Sequence, residues 1–330
     1  MKQVLVTGGS GFLGSALVRR LVERGYKVSV LDNNSRGSPA RLAPLDSEIE
    51  IIHGDIRDRE AVQKAVQGKD WVFHLAFVNG TEFFYEDPGR VLDVGVRGHL
   101  NVMDACLTIG IEKFIYASSS EVYQTPPTVP TDESAPLSIP DVKNPRYSYG
   151  GGKLIGELMT LHSGIATEAI GERVIFRPHN FYGPDMGKEH VIPQLITKVL
   201  EAQKAKKNGK TVVQIQGDGS QTRSFCYVED GAKGAVIAAE KGQNGEIYHI
   251  GTQDEITIRH LLDRIACHMG VKVDIESGSI PEGGTPRRCP EISKLRGLGY
   301  EPEWSLEAGL EKTVSWYTDA YTHNQGGAFR

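Results

Sequence analysis

The chain has 330 residues and a formal net charge of -5, with 39% hydrophobic and 24% charged residues. This length allows two domains, or one large and one small, and the composition is that of an ordinary globular protein. The net charge argues against a nucleic-acid partner, and four cysteines without CxxC spacing predict neither a metal site nor a disulfide framework. The scattered cysteines fit a reducing compartment, the N-terminus enters a strand almost at once, and no apolar run reaches eighteen residues. We therefore expect a cytoplasmic protein with no membrane partner.

Short apolar runs alternate with helical patterns in the first half of the chain. The predicted strands are residues 4–6, 28–32, 48–52, 71–76, 113–118 and 173–178. The predicted helices are residues 11–24, a helix opened by Asp58, residues 96–107 and a helix after Tyr149. This alternation predicts an α/β fold with a doubly wound parallel sheet.

The regular pattern weakens after about Pro178. Helical segments at residues 192–204, 258–269 and 306–319 are mixed with turn-rich pieces such as QGDGSQTR and EGGTPRR. We therefore expect a cofactor domain at residues 1–178, with a returning segment near 223–250. Residues 179–222 and 251–330 then form a smaller, mixed substrate-binding domain.

A glycine-rich turn follows the first predicted strand. The segment VLVTGGSGFLGSALVRRL contains overlapping glycine motifs that run from Gly8 through Gly11 to Gly14. Such glycines permit a tight turn and let backbone amides approach a pyrophosphate at the helix N-terminus. Asp32 lies at the end of the second predicted strand, where a carboxylate accepts hydrogen bonds from adenosine ribose hydroxyls. We expect a bound dinucleotide, with NAD favoured over NADP because Asp32 repels a 2′-phosphate, although Arg36 lies close enough to soften this preference.

Tyr149 and Lys153 are four residues apart, so on a helix they share one face. Three glycines at positions 150–152 separate them, and each glycine in a helix interior costs about 1 kcal/mol relative to alanine. Two interpretations remain open. The missing side chains let a ligand or a neighbouring helix approach the backbone closely, or the helix begins only near Lys153.

Seven segments occur in a specific order between residues 7 and 230: TGGSGFLG, HGDIRD, VFHLA, ASSSEVY, YSYGGGK, RPHNFYGP and GDGSQTRSFCYVED. In this order they resemble the extended short-chain dehydrogenases/reductases that act on nucleotide sugars, and PRRCPEISKLRGLGYEP extends the resemblance towards the C-terminus. That family comprises 4-epimerases, 4,6-dehydratases and decarboxylases. The resemblance implies a Rossmann-type fold, an NAD cofactor, a nucleotide-diphosphate sugar as substrate and a homodimer.

The resemblance also implies roles for individual residues. Tyr149 is the acid/base, and Lys153 holds the nicotinamide ribose and lowers the pKa of the tyrosine. Ser119 hydrogen-bonds the reacting sugar oxygen, with Ser120 as the runner-up. The expected cofactor-binding residues are Gly8, Gly11, Phe12, Leu13, Gly14, Asp32, Asn33, Asp55, Ile56, Leu75, Ala76, Tyr149 and Lys153.

Substrate contacts are expected from the second half of the resemblance. Asn180 meets the sugar or the diphosphate, and Arg223 and Arg288 are candidate diphosphate clamps. Each arginine could instead form a surface ion pair. We expect His179 to be a packed histidine without a chemical role.

Glu121 bears on the type of reaction. In the 4,6-dehydratases this segment resembles Ser-Thr-Asp-Glu, so Ser120 in place of the aspartate counts against dehydration. The decarboxylases carry Thr-Ser-Glu and a downstream Arg-Lys-Pro-Asp segment, which RCPE resembles. We expect an NAD-dependent 4-epimerase acting through a 4-keto sugar, with Glu121 in the catalytic site. A decarboxylase or 4,6-dehydratase, and a non-catalytic NAD-binding protein, are the alternatives.

One segment departs from the family. In LDVGVRGHLNVMDA, Gly95 and His99 replace the asparagine and threonine that the family carries. That asparagine supports the site near the nicotinamide. The inserted segment FVNGTEFFYEDPGR could compensate, with Asn79, Thr81 or Glu82 reaching the sugar.

Overall fold

The computed structural model describes residues 1–164, 168–206, 209–279 and 285–323. Its strands are β1 (Gln3–Thr7), β2 (Lys27–Asp32), β3 (Ile49–His53), β4 (Trp71–His74), β5 (Ile111–Ala117), β6 (Ile170–Pro178), β7 (Phe181–Tyr182), β8 (Thr211–Gln216), β9 (Thr222–Ser224), β10 (Cys226–Tyr227), β11 (Glu246–Ile250), β12 (Glu255–Thr257), β13 (Val273–Gly278) and β14 (Arg287–Arg288). Its α-helices are α1 (Phe12–Glu23), α2 (Arg59–Val66), α3 (Thr81–Glu86), α4 (Pro88–Leu92), α5 (His99–Ile109), α6 (Ser148–His162), α7 (Val191–Ala205), α8 (Val228–Lys241), α9 (Ile258–His268), α10 (Ser293–Arg296) and α11 (Leu306–His323).

The central sheet has seven strands in the order β11-β6-β5-β4-β1-β2-β3. All of its neighbouring strands are parallel. The chain builds outward from β1 in one direction through β2 and β3, and in the other through β4, β5 and β6. Ligands of such sheets bind at the carboxyl ends of the strands, where the strand order reverses. The predicted doubly wound α/β fold is confirmed.

Both faces of the sheet are buried, as expected when helices cover a parallel sheet on both sides. In β1, Val4 and Val6 belong to one buried cluster. The intervening Leu5 belongs to the cluster on the opposite face, with helix residues such as Val62 and Val102. Alternate side chains of one strand therefore enter two different cores.

A third buried cluster lies outside the central sheet. It joins α7, α9 and α11 to β8, β13 and neighbouring segments. The segment between β8 and β12 returns to the central sheet, because β11 pairs with β6. Within the described ranges, no helix combines the length and the apolar character needed to cross a membrane.

The predicted helix at residues 96–107 differs from the structure. The helical path begins with α4, makes one π-helical turn at Asp93–Gly98, and continues as α5. Single π-helical turns within α-helices occur frequently at functional sites. This turn contains Gly95, one of the two departures from the family pattern.

Candidate active site

The glycine-rich turn joins β1 to α1 next to the end of β4. Gly8 has φ +75°, and a Cβ at this position would lie 2.7 Å from the backbone nitrogen of Ala76. A Cβ at Gly14 would collide with the carbonyl oxygen of Gly8. Gly11 caps α1 without a side-chain hydrogen bond, so the first amides of the helix, including those of Phe12 and Leu13, have no side-chain cap. This cradle fits the pyrophosphate of a dinucleotide.

Acidic residues follow β2 and β3. The Asp32 carboxylate accepts hydrogen bonds from the backbone amides of Ser10 at 3.0 Å and Asn34 at 2.8 Å. Asn33 donates to Asp55 at 2.8 Å. Hydrogen bonds from Arg57 outweigh partial burial and lower the pKa of Asp55 to about 2. These residues form a polar end of the cleft that suits an adenosine, beside the largely buried Ile56 and the partly buried Leu75.

Tyr149 and Lys153 lie in the first turns of α6, and both are buried. The Lys153 ammonium donates to the carbonyl oxygen of Ala117, at the end of β5, at 2.6 Å. Ser119, two residues further, lies next to the Tyr149 side chain and acts to lower its pKa. Ser120 is buried and begins a single helical turn that Ser119 caps. The end of β5 therefore meets the predicted acid/base pair.

The two ionisable groups are shifted by burial. Burial raises the pKa of Tyr149, the charge of Glu121 raises it further, and the Ser119 side chain opposes both. Burial lowers the pKa of Lys153 to about 7, against the opposing charge of Glu157. The sequence predicted a lowered pKa for Tyr149. In the protein without cofactor the pKa is raised instead, because burial of the phenol outweighs the groups that favour its anion.

The three glycines lie inside α6, which begins at Ser148, so the interpretation of a later helix start is wrong. A Cβ at Gly150 would lie 2.9 Å from the carbonyl oxygen of Glu121. At Gly152 it would lie 3.0 Å from the Phe77 ring, whereas at Gly151 the nearest atom is 3.6 Å away. Close approach therefore explains the first and third glycines, and the structure gives no steric reason for the middle one.

Two aromatic residues that the sequence did not single out cover Tyr149. The Phe84 ring stacks on it at a centroid distance of 5.0 Å and an interplanar angle of 18°. The Phe77 ring meets it edge-on at 5.1 Å and 80°. Both come from the inserted segment, in which the expected sugar contacts Asn79, Thr81 and Glu82 are all exposed. The aromatic content of FVNGTEFFYEDPGR was the available signal.

The two departures from the family have separate packing reasons. A Cβ at Gly95 would collide with the Phe77 ring, so glycine leaves room for that ring. His99 is fully buried and packs against Tyr116 at a centroid distance of 4.7 Å and His74 at 5.0 Å. Burial, followed by the charge of Lys153, lowers the pKa of His99 to about 3. His99 is therefore a neutral packing residue.

A charged cluster surrounds Glu121. Arg288 Nη1 donates to Glu121 Oε1 at 2.5 Å, and parallel pairing of β14 with β9 sets Arg288 beside Arg223. Burial alone would raise the pKa of Glu121, but the charges of Arg288, Arg146 and Arg223 lower it overall. Burial and the neighbouring arginines lower the pKa of Arg223 to about 10. Arg146 was not predicted; its place three residues before Tyr149 was the available signal.

The remaining predicted residues have backbone partners or are packed. Asn180 has φ +44° and donates to the carbonyl oxygen of Ser224 at 2.9 Å. Arg223 donates to the carbonyl oxygens of Thr222 and Thr285, each at 2.7 Å. His179 is buried against His249, with ring centroids 4.5 Å apart. Asn180 and Arg223 thus connect backbone segments of the cleft through hydrogen bonds.

Known proteins of similar sequence catalyse different reactions. The chain is 32% identical over 330 residues to a UDP-N-acetyl-alpha-D-glucosaminuronate decarboxylase from Bacillus cytotoxicus, covering 96% of this chain and 98% of that protein. It is 34% identical over 323 residues to a putative UDP-glucose 4-epimerase from Methanocaldococcus jannaschii, covering 95% of this chain and 97% of that protein. Both alignments cover almost the whole of each protein.

A solved structure and a family model agree with these relatives. A double mutant of a dTDP-glucose 4,6-dehydratase from Streptomyces venezuelae, with NAD bound, superposes with a TM-score of 0.83 and 28% identity. That match covers 97% of this chain and 98% of the other. The model of the NAD dependent epimerase/dehydratase family matches residues 4–251. By its sequence, its sheet and its dinucleotide turn, the chain belongs to the NAD dependent epimerase/dehydratase family.

Proposed function

We propose that this chain is a nucleotide-sugar 4-epimerase that acts through a transient 4-keto sugar. The observation that supports this most strongly is the Ser119 side chain next to Tyr149, where it favours the phenolate, with Lys153 one helical turn later. These three residues lie at the carboxyl ends of the sheet strands, the same edge at which the dinucleotide turn follows β1. One acid/base residue at the sugar hydroxyl is sufficient for epimerisation, because the proton and hydride that leave are returned after the 4-keto sugar presents its other face.

The cofactor is NAD, and we expect it to be bound by the turn at Gly8–Gly14, by Asp32 and by Lys153. When bound, NAD would supply a reversible hydride acceptor at the sugar C4, and the 4-keto sugar turns over so that the hydride returns to its other face. Tyr149 Oη takes the C4 hydroxyl proton during oxidation and gives it back during reduction. Ser119 orients the sugar oxygen towards Tyr149, and the buried surroundings keep water from the ketone.

The arginine cluster suits the diphosphate of the substrate. The cluster contains one carboxylate, Glu121, and three guanidinium groups, those of Arg146, Arg223 and Arg288. It therefore carries excess positive charge. Arginine binds phosphate oxygens in a bidentate manner. We assign the cofactor to residues 1–178 and the returning segment near 223–250, and the substrate to residues 179–222 and 251–330 together with Arg146, Arg223 and the strand ends.

A decarboxylase is the second candidate, and the pair of Glu121 with Arg288 favours it. The two segments that resemble the decarboxylases, SSE and RCPE, supply these two side chains. Dehydration is less favoured, because a paired carboxylate with a lowered pKa is a weak base for removing a C5 proton. Ser120 also has no acidic proton to help expel water.

We also propose a homodimer formed through α5 and α6. Large apolar side chains are exposed on these helices and on α4: Leu92, Leu100, Ile155 and Leu158. Exposed apolar residues that cluster on neighbouring helices mark protein–protein contact surfaces. The helical surface is thus available for pairing with a second copy of the chain.

A product panel tests the reaction. The purified protein with NAD is incubated in deuterated water with UDP-, GDP-, CDP- and dTDP-linked hexoses and hexuronates, and products are followed by proton NMR. An inverted C4 centre without deuterium supports the epimerase, because the hydride stays within the cofactor site. A pentose assigns the decarboxylase, and a 4-keto-6-deoxy sugar with deuterium at C5 assigns the dehydratase. Tyr149→Phe is the control, and its unchanged turnover would remove the proposed mechanism.

A further inference from the structure

Phe77, just after β4, lies against the face of α6 that carries the proposed acid/base pair. The Lys153 ammonium is 4.1 Å from the centroid of its ring. Its ring meets that of Tyr149 edge-on at 5.1 Å. The backbone of Gly152, between these two residues, also approaches it closely. One phenyl ring therefore contacts both members of the pair and the helix that connects them.

Gly95 lies on another side of the same ring. It belongs to the π-helical turn Asp93–Gly98, and a Cβ added there would collide with Phe77 Cζ. The family that the sequence resembles carries an asparagine at this position. A side chain at position 95 and a phenyl ring at position 77 cannot occupy this space together, so the two positions depend on each other.

We propose that Phe77 is a positioning residue that fills the space left by Gly95 and fixes Tyr149 and Lys153 for proton transfer. The face of an aromatic ring attracts an ammonium group, and an edge-on ring contact restricts the orientation of the phenol. The inference rests on the proposed roles of Tyr149 and Lys153.

Other ionisable and polar groups also face this pair: Glu157, His74, His99 and Tyr116 at Lys153, and Ser119 and Glu121 at Tyr149. Burial, neighbouring imidazole and the charge of Lys153 keep His74 neutral, and His99 is neutral for a similar reason. Glu157 is held by Arg177 in a bidentate ion pair at 2.8 and 2.6 Å. The two imidazoles stay neutral and the charged form of Glu121 is favoured, so an effect of Phe77 is measurable against a constant background.

A titration tests the electrostatic part. Phe77→Leu keeps an apolar side chain and removes the aromatic face. In the cofactor-free protein we expect the pKa of Lys153, about 7 in the wild type, to fall by about half a pH unit, because the ammonium is less stabilised. NMR of the isotope-labelled lysine side chain follows the titration, and Lys153→Met supplies the baseline. Phe83→Leu is the matched control, because that ring lies 4.5 Å from Arg36. Equal midpoints in the two leucine variants would overturn the proposal.

A double-mutant cycle tests the packing part. We expect Gly95→Ala to lower the thermal midpoint by several degrees, since the added methyl collides with Phe77. In Phe77→Ala/Gly95→Ala the added methyl has room, so the two losses should not add. Additive losses would contradict the claim that the Phe77 ring and a side chain at position 95 compete for the same space. Neither measurement uses a sugar, so a wrong assignment of the reaction leaves both results interpretable, and only the product panel tests that assignment.

Discussion

Arg288 and Glu121 form a direct ion pair of 2.5 Å although 167 residues separate them in the chain. The Arg288 side chain is 10% exposed and that of Glu121 is 25% exposed. The pair brings a strand-end loop of the central sheet together with β14. It therefore links the cofactor side of the cleft to the segment that is expected to grip the diphosphate.

Loss of Arg288 should weaken substrate binding and raise the pKa of Glu121. In Arg288→Gln the carboxylate loses its principal positive partner, and we expect kcat/KM to fall tenfold or more. Arg287→Gln is the matched control, because its guanidinium pairs with Glu255 on an exposed surface. Steady-state kinetics on the substrate found by the panel make the comparison. Equal losses in the two variants would show that Arg288 has no special role.

The triple glycine provides a second matched pair. Gly151→Ala should raise the free energy of unfolding by about 1 kcal/mol, because alanine favours the helix and the site has room. Gly150→Ala should lower it by about 1–3 kcal/mol, because the new methyl meets the Glu121 carbonyl oxygen at 2.9 Å. Urea denaturation of the two variants measures both changes. The same sign for both would contradict the assigned contacts.

Lys153 should make the stability of the cofactor-free protein depend on pH. Its folded pKa of about 7 lies below the ordinary 10.5, so the unfolded state binds more protons between these values and stability rises with pH there. Lys153→Met removes this dependence. We expect the variant to gain most over the wild type below about pH 7, with the gain shrinking towards pH 10.5. A gain that is constant across this range, by denaturant titration, would show that Lys153 is not buried in this way.

The exposed face of α6 gives a prediction on assembly. Leu158 is 52% exposed on the helix surface, and Leu158→Lys should turn a dimer into a monomer by adding a charge to the contact. Val142 is 89% exposed outside the helices, and Val142→Lys should leave the dimer unchanged. Light scattering separates the two states. A wild-type monomer, or a dimeric Leu158→Lys, would refute the proposed surface.

The sequence predicted the fold and the cofactor because both depend on local patterns. Alternating strands and helices predicted the parallel sheet, and the turn ending at Gly14 with Asp32 predicted NAD. The same patterns located Tyr149 and Lys153 on one helix face. Their roles remain predictions, since they depend on a bound substrate.

The rest of the site depends on contacts between distant segments. The aromatic cover of Tyr149 by Phe77 and Phe84 was missed, because an insertion has no periodicity that shows which side chains turn inward. The reason for Gly150 depends on a carbonyl group from the β5 loop. The rise in the tyrosine pKa was also missed, since burial cannot be estimated from spacing alone.

The most direct test follows a deuterium placed at C4 of the nucleotide sugar that the panel identifies. We predict that the wild type gives an inverted product that retains this deuterium at C4, as shown by proton NMR and mass spectrometry. Tyr149→Phe, with NAD bound as in the wild type, should be slower by about a hundredfold or more. Exchange of the deuterium with water, or full turnover by Tyr149→Phe, would contradict proton transfer by Tyr149 during hydride transfer at C4.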